Sequence, residues 1–124
     1  MTGTDIFDTA LVLMNEDTTS KADYPGFLTL LNLFLMENYD INNGLRLAAV
    51  KLELVEVPWL TTLTDAVGYE PVMERVILPY GLAGRLVIED NASLAAQFTN
   101  KYEYEREKAI RARFENPVED EEDD

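Results

Sequence analysis

A chain of 124 residues without cysteine or histidine has no disulfide framework, no thiolate ligand, no Ser-His or Cys-His catalysis and none of the usual zinc sites. Its 24 acidic residues against 10 basic ones give a formal charge of -14, which disfavours non-specific attraction to nucleic acid or to an anionic membrane. Hydrophobic residues at 47% suit one domain with a modest core; with no leader legible over 1–15 and no apolar run near the roughly 20 residues of a membrane span, a soluble cytoplasmic protein is expected.

The first predicted element is a helix over 2–14, in which Thr4 or Asp5 caps the first turn and Ile6, Ala10, Leu13 and Met14 line one face. Polar, aperiodic residues over 15–23 predict a loop. Asp23 and Pro25 then suit the start of a second helix, buried through Phe27, Leu28, Leu30, Leu31, Leu33, Phe34, Leu35 and Met36. Asn42-Asn43-Gly44 is its expected stop, because asparagine and glycine tolerate the left-handed conformation that ends helices. Neither helical nor strand period holds over 45–69, where Pro58, Gly68 and a threonine-rich stretch break the pattern, so a long, partly extended β-like loop is expected. Trp59 in that loop has two readings: a cap on the core, as for most aromatics, or an anchor for a partner subunit.

From 71 to 89 only Glu74, Arg75, Arg85 and Glu89 are charged, and Glu74, Arg85 and Glu89 share one stripe, so this segment reads as the central helix of the domain. Pro71 suits its first turn. Pro79 lies inside the pattern and forfeits the bond to the Arg75 carbonyl, which predicts a kink or break there. Gly81, Ala83 and Gly84 are small enough to admit another backbone. Asp90 or Asn91 caps a last helix with Leu94, Phe98, Tyr102, Glu105 and Ala109 on one stripe; its first half is expected to pack and its second half to protrude into solvent. Seven acidic residues and no basic one lie between Glu115 and Asp124, half of the net charge, so 115–124 reads as an acidic disordered tail behind a helical domain at 1–114. The fold class is all-α, a bundle of about four helices with a long loop between the second and third and a protruding C-terminal helix.

Candidate chemistry is thin. Asp65 with Glu70, Glu89 with Asp90, and the acidic tail are possible carboxylate pairs, but none comes with the rest of a site. The stretch from Asp17 to Asp23 lacks the spacing of an EF-hand, and no phosphate-binding glycine motif is present. No enzyme activity, cofactor or metal is expected.

Ile6-Phe-Asp-Thr-Ala-Leu-Val-Leu-Met14, the leucine-rich helix from Phe27 to Met36, Glu56-Val-Pro-Trp-Leu60 and Val76-Ile-Leu-Pro-Tyr-Gly-Leu-Ala-Gly-Arg-Leu86, followed by Phe98 and Lys101-Tyr-Glu103, together resemble the head-tail connector (adaptor or head-completion) proteins of tailed bacteriophages. The resemblance runs in order from about Thr4 to Arg113, and Leu78-Pro-Tyr-Gly-Leu-Ala83 is its most specific part; the acidic end after Arg113 departs from the pattern. It implies a homo-oligomeric ring below the portal protein, contacts with tail or head-closure proteins, DNA that passes through without specific binding, and a place in the neck of the virion after assembly in the host cytoplasm. Acidic residues in the lumen of such a ring would keep DNA from adhering. Trp59, Tyr102, Arg106 and Arg113 are the candidate interface residues, and Pro79, Gly81 and Gly84 the structural ones. The competing readings are an acidic DNA-mimicking inhibitor, against which the concentration of charge in a tail argues, and a helical protein-interaction module.

Overall fold

The computed structural model describes the backbone of residues 1–115 and the side chains through residue 112; the expected acidic tail lies outside the described residues, as does the side chain of Arg113. Among the described residues the chain is all-α: α1 (Gly3–Leu13), α2 (Phe27–Glu37), α3 (Tyr39–Ala48), α4 (Leu78–Val87) and α5 (Ala92–Glu115), with a 3₁₀ helix at Thr18–Asp23 and a π-helical turn at Met73–Ile77. No strand forms among them, and the one extended pairing is an isolated bridge between Thr2 and Ala66.

The cap of α1 is Thr2, ahead of both expected caps, Thr4 and Asp5. Its hydroxyl accepts from the Asp5 N–H at 3.2 Å while the Asp5 carboxylate accepts from the Thr2 N–H at 2.9 Å, a reciprocal box that satisfies two otherwise orphaned donors. Ile6, Phe7, Ala10, Leu11 and Met14 are buried, and Phe7 stacks on Phe27 with ring centroids 3.8 Å apart. The expected loop after α1 contains the 3₁₀ helix, opened by Asp17, whose side chain accepts from the Thr19 N–H.

The predicted second helix is two helices. It breaks at Asn38, whose buried amide donates to the Phe34 carbonyl at 2.9 Å and the Tyr102 hydroxyl at 3.0 Å and accepts from Arg106 Nε at 2.9 Å. Asn42-Asn43-Gly44, expected to end a helix, lies inside α3, and the helix runs on through Ala48 into the stretch expected to be extended. The asparagines are there because the connection over 49–70 needs them. Asn32 exchanges two hydrogen bonds with the backbone of Leu60, at 2.8 and 3.0 Å, Asn43 does the same with Leu54, at 2.9 and 3.3 Å, and Asn42 accepts from the Glu70 N–H at 2.7 Å. Side-chain amides thus take the place of a partner strand, which is how so long a connection stays ordered without the β structure that was expected.

The segment 71–89, read as the central helix, is the centre of the domain and carries the π turn and α4. Met73, Ile77, Leu78, Pro79, Leu82, Ala83, Gly84 and Val87 are buried, and α4 packs against α1, α2 and α5. The kink or break expected at Pro79 takes the form of an irregular turn just before it: that turn widens to π geometry, the Leu78 N–H reaches the Met73 carbonyl, and the backbone at Ile77 and Leu78 stays helical. The wider turn suits a proline that cannot bond the Arg75 carbonyl, and helical structure continues past it at a local loss of regular bonding. Glu74, placed by periodicity on one stripe with Arg85 and Glu89, is buried where those two are exposed. Its carboxylate accepts from the Met1 α-amino nitrogen at 3.0 Å and from the Gly68 and Tyr69 N–H groups at 3.1 and 3.2 Å, so the buried charge is paired on every side.

Gly81 and Gly84 are close-approach positions. A Cβ on Gly81 would stand 2.6 Å from the Phe34 ring and 2.7 Å from the Tyr102 ring; one on Gly84 would stand 2.9 Å from the Thr99 hydroxyl. α5 follows α4 after a short connection, capped by Asn91, whose side chain accepts from the Leu94 N–H. Its buried stripe of Ala95, Phe98, Tyr102, Glu105 and Ala109 packs on α4 and α3, so packing continues well beyond the first half of the helix that was expected to carry it.

Titration should cut stability from both ends. Backbone N–H donors of Thr2 and of Thr62 and Thr61 hold Asp5 and Asp65 below the ordinary carboxylate range, and the hydrogen bond from Lys101 does the same for Glu105. Depressed folded-state values add stability above the unfolded values and lose it as the pH falls through the folded ones, so these contributions fade below about pH 4. Burial pushes Tyr24 up to about 12, helped by its bond to Glu16, and raises Tyr69 and Tyr102 as well. Raised values contribute fully below the unfolded value of about 10 and are lost above it. Urea midpoints across pH are expected to fall on the alkaline side as Tyr24, Tyr69 and Tyr102 ionise, followed ring by ring by nuclear magnetic resonance. Ionisation of these three at pH 10 with the fold intact would contradict this.

Candidate interaction surface

Of the carboxylate pairs read in the sequence, Asp65 and Glu70 are each occupied by partners of their own. Asp65 accepts from the Thr61 and Thr62 N–H groups and closes a turn, whereas Glu70 is held by Lys51 at 3.0 Å and Arg46 at 3.4 Å. Glu89 and Asp90 are exposed and line an open cleft of about 520 Å³ with Glu16, Asp23 and Arg85. Among the described residues no group of three or more carboxylates is placed to hold a metal.

Of the four interface candidates, two face inward. Tyr102 is a core residue: its ring packs on Phe34 and its hydroxyl donates to Glu37 at 3.0 Å, because the stripe of α5 turns it onto the Asn38 break. Arg106 is engaged within the chain, bonded to Asn38 and Glu103 and lying over the Tyr102 ring at 5.2 Å. Arg113 is in α5, with its side chain outside the description.

Trp59 faces solvent at 57% relative exposure, which overturns its reading as a cap on the core. Asn32 pins the next residue, Leu60, inward, and neighbours in an extended segment point to opposite sides. Leu60 therefore fills the core and Trp59 leaves it. The same loop exposes Val50 at 78%, Leu52 at 85% and Val55 at 96%, none of them singled out by sequence. Their only advance signal was that the apolar run around Leu52 kept neither period. Glu53 and Glu56 are exposed between them.

Val50 adds strain to exposure. It occupies the residue just past α3 at φ 59°, with its N–H on the Leu47 carbonyl at 3.0 Å and the Lys51 N–H on the Arg46 carbonyl at 2.8 Å. This is the glycine position of a helix-ending motif, filled here by a β-branched residue, for which the left-handed region is costly. α1 ends in the same way with Asn15 at φ 62°, a residue that tolerates it. Val50→Gly is expected to stabilise the fold by about 1 kcal/mol despite the entropy glycine adds to the unfolded chain. An unchanged or lower urea midpoint would mean that the valine is not strained. A bulky apolar side chain held in a strained, solvent-facing place has no use inside this fold, which makes 50–59 the candidate interaction surface.

Comparison with known proteins adds no family to this picture: no family model, curated protein or solved structure matches the chain.

Proposed function

We propose that this chain is a structural subunit of the neck of a tailed phage or prophage: a head-tail connector that assembles in the host cytoplasm as a homo-oligomeric ring below the portal, meets tail or head-closure proteins, and lets DNA pass. The observation that carries it is the exposed apolar loop with Trp59, a surface that a free subunit leaves unfilled and a neighbour in a ring would cover. The resemblance supplies the kind of assembly. In this reading α2 with α3 counts as one bent helix, giving a bundle of about four helices around α4, and α5 serves as the arm towards neighbours. Pro79 then helps to set the path of α4 into α5. The acidic balance fits a passage that must not hold DNA.

Electron microscopy with mass measurement, on the protein alone and with purified portal, tests the proposal: rings support it, and a monomer that ignores portal at high concentration defeats it. Trp59→Ala is expected to cut ring yield strongly, since an interface tryptophan commonly carries 2 kcal/mol or more, roughly thirtyfold in affinity. The melting temperature of the monomer should move by no more than about 2 °C, because the side chain is half in water already. A melting loss with normal rings would return Trp59 to a purely structural role.

A further inference from the structure

Leu54 is gripped along one edge of its backbone. Its N–H donates to Asn43 Oδ1 at 2.9 Å, its carbonyl accepts from Asn43 Nδ2 at 3.3 Å, and the Tyr39 hydroxyl bonds the same carbonyl. One residue whose N–H and C=O meet one partner is an extended residue in the geometry of a hydrogen-bonded strand pair. The Leu52 carbonyl faces the same way, onto Arg46 Nε at 2.6 Å. In an extended chain the residues between present their backbone groups on the opposite edge. Glu53 and Val55 are those residues, Val55 standing where the chain begins to bend away, and their N–H and C=O groups have no hydrogen-bond partner among the described residues. The outer edge of this segment is thus an unpaired strand edge, held in shape by a side-chain amide where a sheet would use another strand.

We propose that the edge at Leu52–Val55 is a docking strand that receives an extended segment of another protein by strand addition, and that this segment alternates basic and apolar residues. Main-chain bonds to Glu53 and Val55 would supply the pairing, and the exposed Leu52 and Val55 side chains the apolar contact. The basic requirement follows from charge. Glu53 and Glu56 flank the edge and have no ion-pair partner among the described residues, and the chain as a whole carries -14. A second copy of the same segment would set carboxylates against carboxylates, so a different, cationic chain is the complementary occupant. The inference does not rest on ring formation: a monomer has the same edge, and where a ring neighbour covers the loop the peptide competes for it.

The test is a nuclear magnetic resonance titration of the full chain with a synthetic peptide of alternating lysine and valine. Controls are the same peptide N-methylated on the backbone groups that would face the protein, and an alternating glutamate–valine peptide. The expected result is that the Glu53 and Val55 amide resonances shift together and their hydrogen exchange slows by about tenfold or more at saturation, while neither control binds. Val55→Pro removes the outward N–H without breaking any bond within the subunit, so it should keep the circular dichroism of the parent and lose the peptide. Glu53→Lys together with Glu56→Lys should reverse the preference towards the acidic peptide. Shifts elsewhere on the surface, equal binding of the N-methylated peptide, or no binding of the basic peptide would overturn the proposal. If Val55→Pro does not fold, the N-methylated peptide decides alone. Rings without peptide binding would defeat this inference and leave the connector reading standing; peptide binding without rings would do the reverse.

Discussion

Asn32→Ala is expected to cost the fold about 3 kcal/mol, the largest loss from any single polar truncation proposed for this chain. The truncated amide would strand both the N–H and the C=O of Leu60, which it now meets at 2.8 and 3.0 Å in a buried setting. An unsatisfied buried backbone group costs about 1–3 kcal/mol, and two are left behind. The same change should free the loop, so hydrogen exchange over 57–63 is expected to quicken well before global unfolding. Asn43→Ala is the internal comparison. Its bonds to Leu54 are only partly buried and water can replace them, so a loss of about 1 kcal/mol is expected there. Urea unfolding of both variants checks the pair. If Asn32→Ala cost no more than Asn43→Ala, the loop would be held by the packing of Leu60, Val67 and Tyr69 and not by the amide.

Gly81→Ala is expected to destabilise by about 2 kcal/mol although alanine is the better helix former by about 1 kcal/mol. Overpacking wins because the atoms in the way are aromatic rings 2.6 and 2.7 Å from the new Cβ, and neither ring has room to turn. Tyr102 is fastened at its hydroxyl by Asn38 and Glu37, and Phe34 lies against it with centroids 5.5 Å apart. The same substitution at Gly84 meets the Thr99 hydroxyl at 2.9 Å, the end of a side chain that can rotate, and the Ala95 carbonyl at 3.4 Å, an ordinary contact. There the gain in helix propensity should nearly cancel the crowding. Thermal melts are expected to place Gly81→Ala roughly 8 °C or more below the parent and Gly84→Ala within about 3 °C of it. Equal losses would show that backbone approach in general, and not the two rings, sets the requirement for glycine.

Read alone, the chain determined its all-α class, the existence of the first, central and last helices, and the burial of the central one. Those features rest on local periodicity and capping, which nearby residues settle among themselves: Ile6 to Met14 repeats once per turn whatever surrounds it, and Asn91 caps the helix that begins beside it. That something comes close at Gly81 and Gly84 was legible for the same reason, since their cost to an isolated helix has to be repaid by contact; the expected partner was another backbone, and at Gly81 it is the Phe34 and Tyr102 rings. Tertiary structure alone decided what the asparagines do. Asn42 and Asn43 carry the same side chain that ends helices elsewhere; here two distant backbone segments offer it better partners, and the helix continues past them. Tertiary structure likewise decided that Asn32 turns Leu60 inward, and so that Trp59, Val55 and Leu52 meet solvent. It also let a π turn absorb Pro79 and drew Glu74 inside among donors from the chain's start and from Gly68 and Tyr69. Each of these outcomes depends on a hydrogen-bond partner many residues away or on a packing demand from another helix, and no local period carries that information.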